Sequence, residues 1–570
     1  MGFDRRELLG LGLGGGVALA VPAAAQEIVA SRIYENDQNG RFAEAMRDID
    51  AYATEHVTAQ RLPGLTVAVV GPGGFVGLLQ RGYADVDRHT PVARSQLFQI
   101  GSISKSFTAL CVFRLMEAGK LRLEDPVSKY LPEVPLPANG GITIQSLLNH
   151  SSGLPDDAPP FPRGGDQRLW QGFPVGAQWS YSNLGYALLG RIVARLEGRP
   201  LAEVLATGVL RPLGMAQTRP AIITADRALY ATGYSPLYAD RPPPRGGPLA
   251  PGAWTEMVEG SGCVASTAGD MALYMRWLAA AGQGKGAPLL SDAAAAHYCA
   301  ATIDAPGWAT PGAKYANGLA LTPVGGRMLL HHTGGMLTFN SAIHVDPAAA
   351  VGCFASTNVG LIPYRPRALT AYACARMRSA IEGTAPAPPP PVVPPPPDVS
   401  ALQGGYVGRM GPLEIAPGPR GLVAILDDRR IELEPAGPDA FMAVDPRQAA
   451  HLLVFHRQDG RVGRAWWGEV EYVRREAGRP AGPFSSPPPG LSALDGHYVN
   501  DDPWRGGVRV TVQGDQLVVD GTTPALPLPG GGFRVGDKDW SPERLRFDAV
   551  IDGRPSRATL SGVDYVRRAT

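Results

Sequence analysis

Lysine is scarce in this chain: of 570 residues, only positions 105, 120, 129, 285, 314 and 538 carry one. A lysine inside a motif is therefore informative. Surplus charge is missing as well. Lysine plus arginine number 53 against 52 acidic residues, a formal net charge of +1, which leaves no electrostatic footprint for DNA, RNA or an anionic membrane surface. No nucleic-acid partner is expected. No run of residues approaches the roughly 20 apolar positions that cross a bilayer, so no membrane span is expected either. The five cysteines, Cys111, Cys263, Cys299, Cys353 and Cys374, are odd in number, widely spaced and free of any C-x-x-C pair. That pattern argues against a zinc site or a disulfide-stapled scaffold and fits small buried apolar residues, with one incidental disulfide left open. Also absent is a G-x-S-x-G nucleophile elbow, which disfavours an α/β-hydrolase. With no H-E-x-x-H helix and no glycine-rich nucleotide loop, the sequence implies no metal and no cofactor.

The first 25 residues read as an address. Asp4-Arg5-Arg6-Glu7-Leu8-Leu9 precedes a weakly apolar, Gly-rich run from Gly10 to Ala20. Pro22-Ala23-Ala24-Ala25 then supplies an A-x-A cleavage pattern, with Gln26 as the first mature residue. The apolar run is too short for an anchor. Paired arginines before such a core resemble a twin-arginine export signal, the alternative being an ordinary secretory signal. Either implies a periplasmic or secreted protein.

Two breaks divide the mature chain. Thr384 to Val399 is almost wholly Pro, Ala and Val, a composition that favours polyproline II and stiff spacing. Ala477 to Gly490 is rich in Pro, Gly and Ser. The expected organisation is a signal peptide over 1–25, a large domain over 26–383 and a linker over 384–398. A β-barrel over 399–476, a linker over 477–490 and a second β-barrel over 491–570 complete it. The two small parts repeat one another. Leu402, Gly404 and Tyr406 recur as Leu494, Gly496 and Tyr498, and Val470-Glu471-Tyr472-Val473-Arg474-Arg475 recurs as Val563-Asp564-Tyr565-Val566-Arg567-Arg568. Nearly equal offsets indicate duplicated modules. Short alternating runs such as Leu422 to Ile425 and Val508 to Val512, set between Gly, Pro and Asp turns, predict small antiparallel barrels.

The large domain mixes strands and helices. Leu65 to Val70 and Phe75 to Tyr83 flank Gly71-Pro72-Gly73-Gly74 and predict a hairpin. Phe107 to Met116 is apolar nearly all round, the mark of a buried helix, with Gly119 as its stop. Leu184 to Leu196 predicts a second helix, apolar at 188, 189, 192, 193 and 196. Arg327 to His331, Asn340 to Val345 and Ala350 to Ala355 predict late strands. Strands at both ends with helices between them imply an α+β fold, one antiparallel sheet with helices against it.

Ser102-Ile103-Ser104-Lys105 opens the buried helix. A three-residue step places both side chains on one helical face. The serine stands at the N-terminus, where unpaired N–H groups and the helix dipole favour developing negative charge. The lysine, one turn inside, is desolvated, and burial lowers an amine's pKa until it can take the serine's proton. With 25 serines and six lysines, a chance S-x-x-K is expected about 0.26 times, so the motif alone is weak. Its bland reading is a helix cap and a solvated lysine. Two further elements add weight. Tyr181-Ser182-Asn183 directly precedes the second helix, where the plain alternative is a capped helix entry. His332-Thr333-Gly334-Gly335 ends a late strand, where glycines would let a substrate backbone approach closely.

This ordered set, S-x-x-K, then Y-S-N about 80 residues on, then H-T-G, resembles the motifs of the penicillin-recognising serine hydrolases. That family includes class C β-lactamases, D-alanyl-D-alanine carboxypeptidases, D-aminopeptidases and related esterases. The flanks are similar too: Phe98-Gln99-Ile100-Gly101, Leu147-Leu148-Asn149-His150-Ser151-Ser152-Gly153-Leu154-Pro155 and Ser266-Thr267-Ala268-Gly269-Asp270-Met271. The resemblance covers roughly residues 40 to 380. It implies a β-lactamase-like antiparallel sheet flanked by helices, with Ser102 as nucleophile, Lys105 as its activator and Tyr181 relaying a proton to the leaving group. Whether Lys105 or Tyr181 is the general base is left open. Asn183, His332, Thr333, Gly334 and Gly335 would bind substrate, the N–H groups of Ser102 and Gly335 forming the oxyanion hole. His332 stands where β-lactamases carry lysine, a departure similar to the carboxypeptidase and D-aminopeptidase branches.

The two barrels add a second resemblance, to bacterial D-aminopeptidase, in which a loop of the last barrel reaches the active site and helps select a free amine. The corresponding segment is Pro529 to Trp540, with Asp537 and Asp539 as candidate amine partners and a plain surface turn as the favoured alternative. Gly260 stands where that pattern has an acidic residue, and Glu259 beside it is a weak substitute. The expected function is an acyl-enzyme serine hydrolase acting on a small peptide, amide or ester, cleaving amide bonds next to D-amino acids. An esterase on small acyl esters, a β-lactamase and a penicillin-binding sensor without turnover are the alternatives.

Overall fold

The computed structural model describes residues 30–568 apart from 38–39, 139–140, 164–166, 239, 309, 396 and 477–478. The leader read in 1–25 lies outside the described residues.

The large domain is built on a ten-stranded sheet. Its path runs Ala30–Glu35, Val76–Asp85, Gly64–Val70, Val351–Thr357, Asn340–Asp346, Arg327–Gly335, Ala320–Val324, Lys314–Tyr315 and Ile303–Asp304, with Thr90–Pro91 paired to Val76–Asp85. Every pairing is antiparallel. The predicted hairpin and the three late strands are all present, and the hairpin strand Gly64–Val70 pairs with the late strand Val351–Thr357. The sheet therefore completes only when the two ends of the domain meet.

Strand alternation sorts the core into two layers. Val67, Val69, Cys353 and Ala355 face the helices Ala43–Gln60 and Arg367–Glu382. Ala68, Val70 and Phe354 face the other layer, built from Ser104–Glu117, Asn183–Glu197 and Ala268–Ala281. The helix Ser104–Glu117 is apolar on nearly every side because it lies within that layer, and Gly119, at φ +67°, takes the left-handed turn that ends it. All five cysteines are buried and free.

The Pro-rich segment differs from the stiff spacer its composition suggests. Tyr52 Oη donates to the Pro390 carbonyl at 2.7 Å, Gln60 Nε2 to that of Val392 at 3.1 Å, and Val392 is buried against the large domain. The segment is strapped along the helix Ala43–Gln60.

Beyond it stand two closed eight-stranded barrels, from Gly404–Gly408 to Val470–Glu476 and from Gly496–Val499 to Val563–Arg567. Arg479–Pro480, inside the second Pro-rich break, adds a short ninth strand to the first barrel. The sequence repeat marks one latch used twice. Tyr406 Oη donates to Leu402 O at 2.8 Å and Tyr498 Oη to Leu494 O at 2.9 Å. Arg474 lies over the Tyr406 ring at 5.7 Å, as Arg567 lies over Tyr498 at 5.8 Å. Among the described residues no helix is long and apolar enough to cross a membrane.

Candidate active site

Ser102 lies in a single 3₁₀ turn, Gly101–Ile103, that leads into the helix Ser104–Glu117. Lys105, one turn on, is wholly buried. Its Nζ is 3.0 Å from Ser102 Oγ, 2.6 Å from Asn183 Oδ1 and 2.8 Å from the Ser261 carbonyl oxygen. Three partners match the three hydrogen-bonding directions of an amine. The rings of Tyr181 and Tyr186 stand 4.8 and 5.6 Å away. Burial pulls the Lys105 pKa far below the ordinary amine range, while the carboxylates of Asp156 and Asp157 push it partly back.

The Ser261 carbonyl is a partner that sequence reasoning missed, since a backbone acceptor carries no side-chain signal. Its segment is held by Thr108 Oγ1, which donates to Gly260 O at 2.8 Å. A Cβ at 260 would meet the Tyr186 carbonyl and the Thr108 side chain, so no carboxylate fits there, and Glu259 is exposed.

The second motif enters through helix capping. Ser182 Oγ accepts from Gly185 N–H at 3.1 Å and donates to Pro155 O at 2.9 Å, starting the helix Asn183–Glu197. Asn183 N–H donates to Asp156 Oδ1 at 2.9 Å and its Nδ2 to Asp157 Oδ1 at 3.2 Å. The Tyr181 phenol is close enough to Ser102 to interact with it, and its ring packs on His150 with centroids 4.4 Å apart. Burial raises the Tyr181 pKa far above its ordinary value, so the phenol stays protonated at neutral pH.

The third motif departs from expectation in two places. A Cβ on Gly334 would overlap the Ile100 carbonyl oxygen and Ser341 Oγ, and Ser341 Oγ itself donates to Ile100 O at 2.9 Å. Gly101, at φ +53°, is likewise pressed against the backbone of Gly335. These glycines admit the chain's own turn that carries Ser102, where a close approach of substrate backbone was the expected reason. His332 is fully buried, with Nε2 3.0 Å from Tyr315 Oη and Nδ1 2.6 Å from the Thr333 carbonyl, so neither ring nitrogen is left for a substrate. Thr333 is half-buried. Gly335 lies opposite Asn340, and Met336 N–H donates to Phe339 O at 2.8 Å. Antiparallel alternation then turns the Gly335 N–H away from the strand Asn340–Asp346, onto the side of Ser102. The exposed Arg365 extends its guanidinium alongside Gly335.

The last barrel forms one wall of the site. A cleft of about 500 Å³ is lined by Asp156, Asp157, Tyr181, Arg505, Glu543 and Ser561, among others. Glu543 Oε1 accepts from Asp156 N–H at 2.9 Å, and Arg505 Nη1 donates to Asp157 O at 3.0 Å. Trp170 Nε1 donates to Pro542 O at 2.6 Å, and the Trp540 ring meets Phe173 edge-on at 5.3 Å. Burial raises the pKa of both Asp156 and Glu543, and Asp157 adds to each. Asp537 and Asp539 are exposed, Asp537 being paired with Lys538 at 3.1 Å. Asp537 to Asp539 lie on a surface turn, and the barrel reaches the site through Arg505 and through Trp540 to Glu543. Among the described residues no group of three or more His, Cys, Asp or Glu could hold a metal ion.

Comparison with known proteins defines the class. The family described as Beta-lactamase matches residues 49–376, and this chain belongs to that family, one of serine hydrolases. It is 36% identical over 154 residues to penicillin-binding protein 4* of Bacillus subtilis, covering 24% of this chain and 34% of that protein. It is 31% identical over 188 residues to a beta-lactamase of Escherichia coli, covering 32% and 50%. The chain thus spans about half, or less, of the length of these curated relatives. Among solved structures, the octameric penicillin-binding protein homologue from Pyrococcus abyssi aligns with a TM-score of 0.54 at 22% identity, over 75% of this chain and all of that one. A class C beta-lactamase aligns with a TM-score of 0.50 at 18% identity, over 62% of this chain and all of that one. At such identities the likeness is one of fold.

Proposed function

We infer that this chain forms an acyl-enzyme on Ser102 and hydrolyses amide bonds next to D-amino acids whose amine is free. The observation that carries the reading is the buried amine of Lys105, 3.0 Å from Ser102 Oγ. A desolvated amine with a depressed pKa is neutral often enough to take the serine's proton, whereas burial keeps the Tyr181 phenol protonated, so it holds a proton and offers no free base. Lys105 is therefore the base and Tyr181 the group that passes a proton to the leaving amine. Asn183 holds the lysine through its Oδ1. The N–H groups of Ser102 and Gly335 receive the developing oxyanion, a contribution of about 3–4 kcal/mol per donor in comparable sites.

The free-amine preference rests on the mouth of the cleft. Burial and the neighbouring Asp157 carboxylate raise the pKa of Asp156 and of Glu543 there, and an incoming ammonium group would offset both effects. A second reading, carboxypeptidase action, is favoured by Arg365, whose guanidinium beside Gly335 could meet a terminal carboxylate. Export to the periplasm or medium, through the leader in 1–25, belongs to the same proposal.

A panel of D-alanine p-nitroanilide, a D-Ala-D-Ala peptide, a cephalosporin and p-nitrophenyl butyrate tests the substrate. Turnover of the first above the others is expected; turnover of the ester alone would replace the reading with an esterase. Ser102→Ala should abolish labelling by a fluorescent β-lactam or a fluorophosphonate, and unchanged labelling would remove Ser102 from the mechanism.

A further inference from the structure

We propose that Tyr315 is a positioning residue: its hydroxyl joins His150 to His332 and so locks the loop that carries Tyr181 to the strand that carries Gly335. The inference rests on the reading of Tyr181 and Gly335 as parts of the catalytic machinery.

The direction of every hydrogen bond in this chain of groups follows from its two ends. The backbone N–H of Ser182 can only donate, so His150 Nδ1, 3.1 Å away, accepts. The carbonyl of Thr333 can only accept, so His332 Nδ1, 2.6 Å away, carries the hydrogen. A neutral imidazole has one donor and one acceptor. His150 therefore donates through Nε2 to Tyr315 Oη at 3.2 Å, and the tyrosine O–H donates to His332 Nε2 at 3.0 Å. One arrangement satisfies all of them. A proton added to His150 would set two donors face to face at Ser182. A proton added to His332 would make its Nε2 a second donor toward Tyr315 and leave the tyrosine hydrogen without its acceptor.

The surroundings favour the neutral rings. His150, Tyr315 and His332 are fully buried. Trp179 and Trp308 pack on Tyr315 with centroids 5.8 and 5.7 Å away. Burial lowers the pKa of both histidines, and Lys105 faces each of them. His332 also faces His331 and Arg365, all cationic when protonated. Tyr315 itself lies on the short strand Lys314–Tyr315, paired to Ala320–Val324, outside both motifs. It ties residue 182 of the second motif to residue 333 of the third, and these two segments carry Tyr181, which interacts with Ser102, and Gly335, which lies against Gly101. Loss of the hydroxyl would leave both imidazoles with an unmet partner and free the two walls to shift, and displacements near 1 Å can cost on the order of 100-fold in rate.

The test uses the full chain with ¹⁵N-labelled histidine. Long-range ¹⁵N–¹H correlation from pH 5.5 to 8.5 should show His332 protonated only on Nδ1 and His150 only on Nε2, neither titrating. His150→Gln and His332→Gln supply the assignments. Tyr315→Phe should lower the kcat of acyl transfer about tenfold or more, with KM within about twofold, and should let the His332 signal titrate. A charged His332 at pH 7, or one protonated on Nε2, overturns the proposal. So does a folded Tyr315→Phe that keeps its kcat and its tautomers. Should that variant not fold, the wild-type tautomers decide the matter alone. A wild type that never acylates would count against the catalytic reading, while the tautomers still report the lock.

Discussion

The carboxylate of Glu543, in the last barrel, accepts a hydrogen bond at 2.9 Å from the backbone N–H of Asp156, 387 residues earlier in the chain. Asp156 in turn accepts from the N–H of Asn183, whose side chain holds Lys105. The barrel is thus two hydrogen bonds from the residue that grips the Lys105 amine, and it contributes a wall to the cleft that Tyr181 also lines.

If that wall reads the substrate's amine, Glu543→Gln should weaken the reading without stopping the chemistry. The ratio of kcat/KM for D-alanine p-nitroanilide over its N-acetyl counterpart is expected to fall about tenfold, equivalent to about 1.4 kcal/mol. Acylation by a β-lactam should change by less than about threefold. An unaltered ratio would assign Glu543 to domain docking alone.

Acylation should rise with pH through neutrality. Lys105 must be neutral to accept the serine proton, and burial brings its pKa down to about 7, so the amine is charged and idle below that pH and competent above it. Because Asp156 titrates alongside it, the midpoint belongs to the pair. Stopped-flow acylation from pH 5 to 9 is expected to climb and level off. A rate that falls across this range would require a different base.

Gly334→Ala should destabilise the large domain. The new methyl group has to enter space held by the Ile100 carbonyl, a backbone atom that cannot rotate away. Overpacking of this kind costs about 1–3 kcal/mol. Urea denaturation should register the loss, and acylation should drop with it because the displaced turn carries Ser102. A variant as stable and active as the parent would show that the turn and strand are more loosely joined.

The barrel latches should be equivalent. Tyr406→Phe and Tyr498→Phe each remove one hydroxyl that donates to the carbonyl four residues before it. Each is expected to cost about 1 kcal/mol in its own barrel. Thermal unfolding followed by tryptophan fluorescence, one variant at a time, would expose any asymmetry.

Much of this molecule is written locally. Ser102 and Lys105 are one helical turn apart, Ser182 caps the helix behind Tyr181, and the repeated Tyr and Arg of the barrels sit at matching offsets. Periodicity, capping chemistry and repetition act over a few residues, so the sequence alone determined the strands, the buried helix, the paired barrels and the residues around the serine. Other features depended on distant segments meeting. The Ser261 carbonyl that holds Lys105, the Tyr315 hydroxyl between two histidines and the Glu543 carboxylate at the mouth come from the rest of the chain. A backbone oxygen has no letter of its own, and a lone tyrosine or glutamate on a strand looks like any other until the sheet and barrel close. Only the tertiary structure could decide which of them meet around Lys105, the two histidines and the cleft.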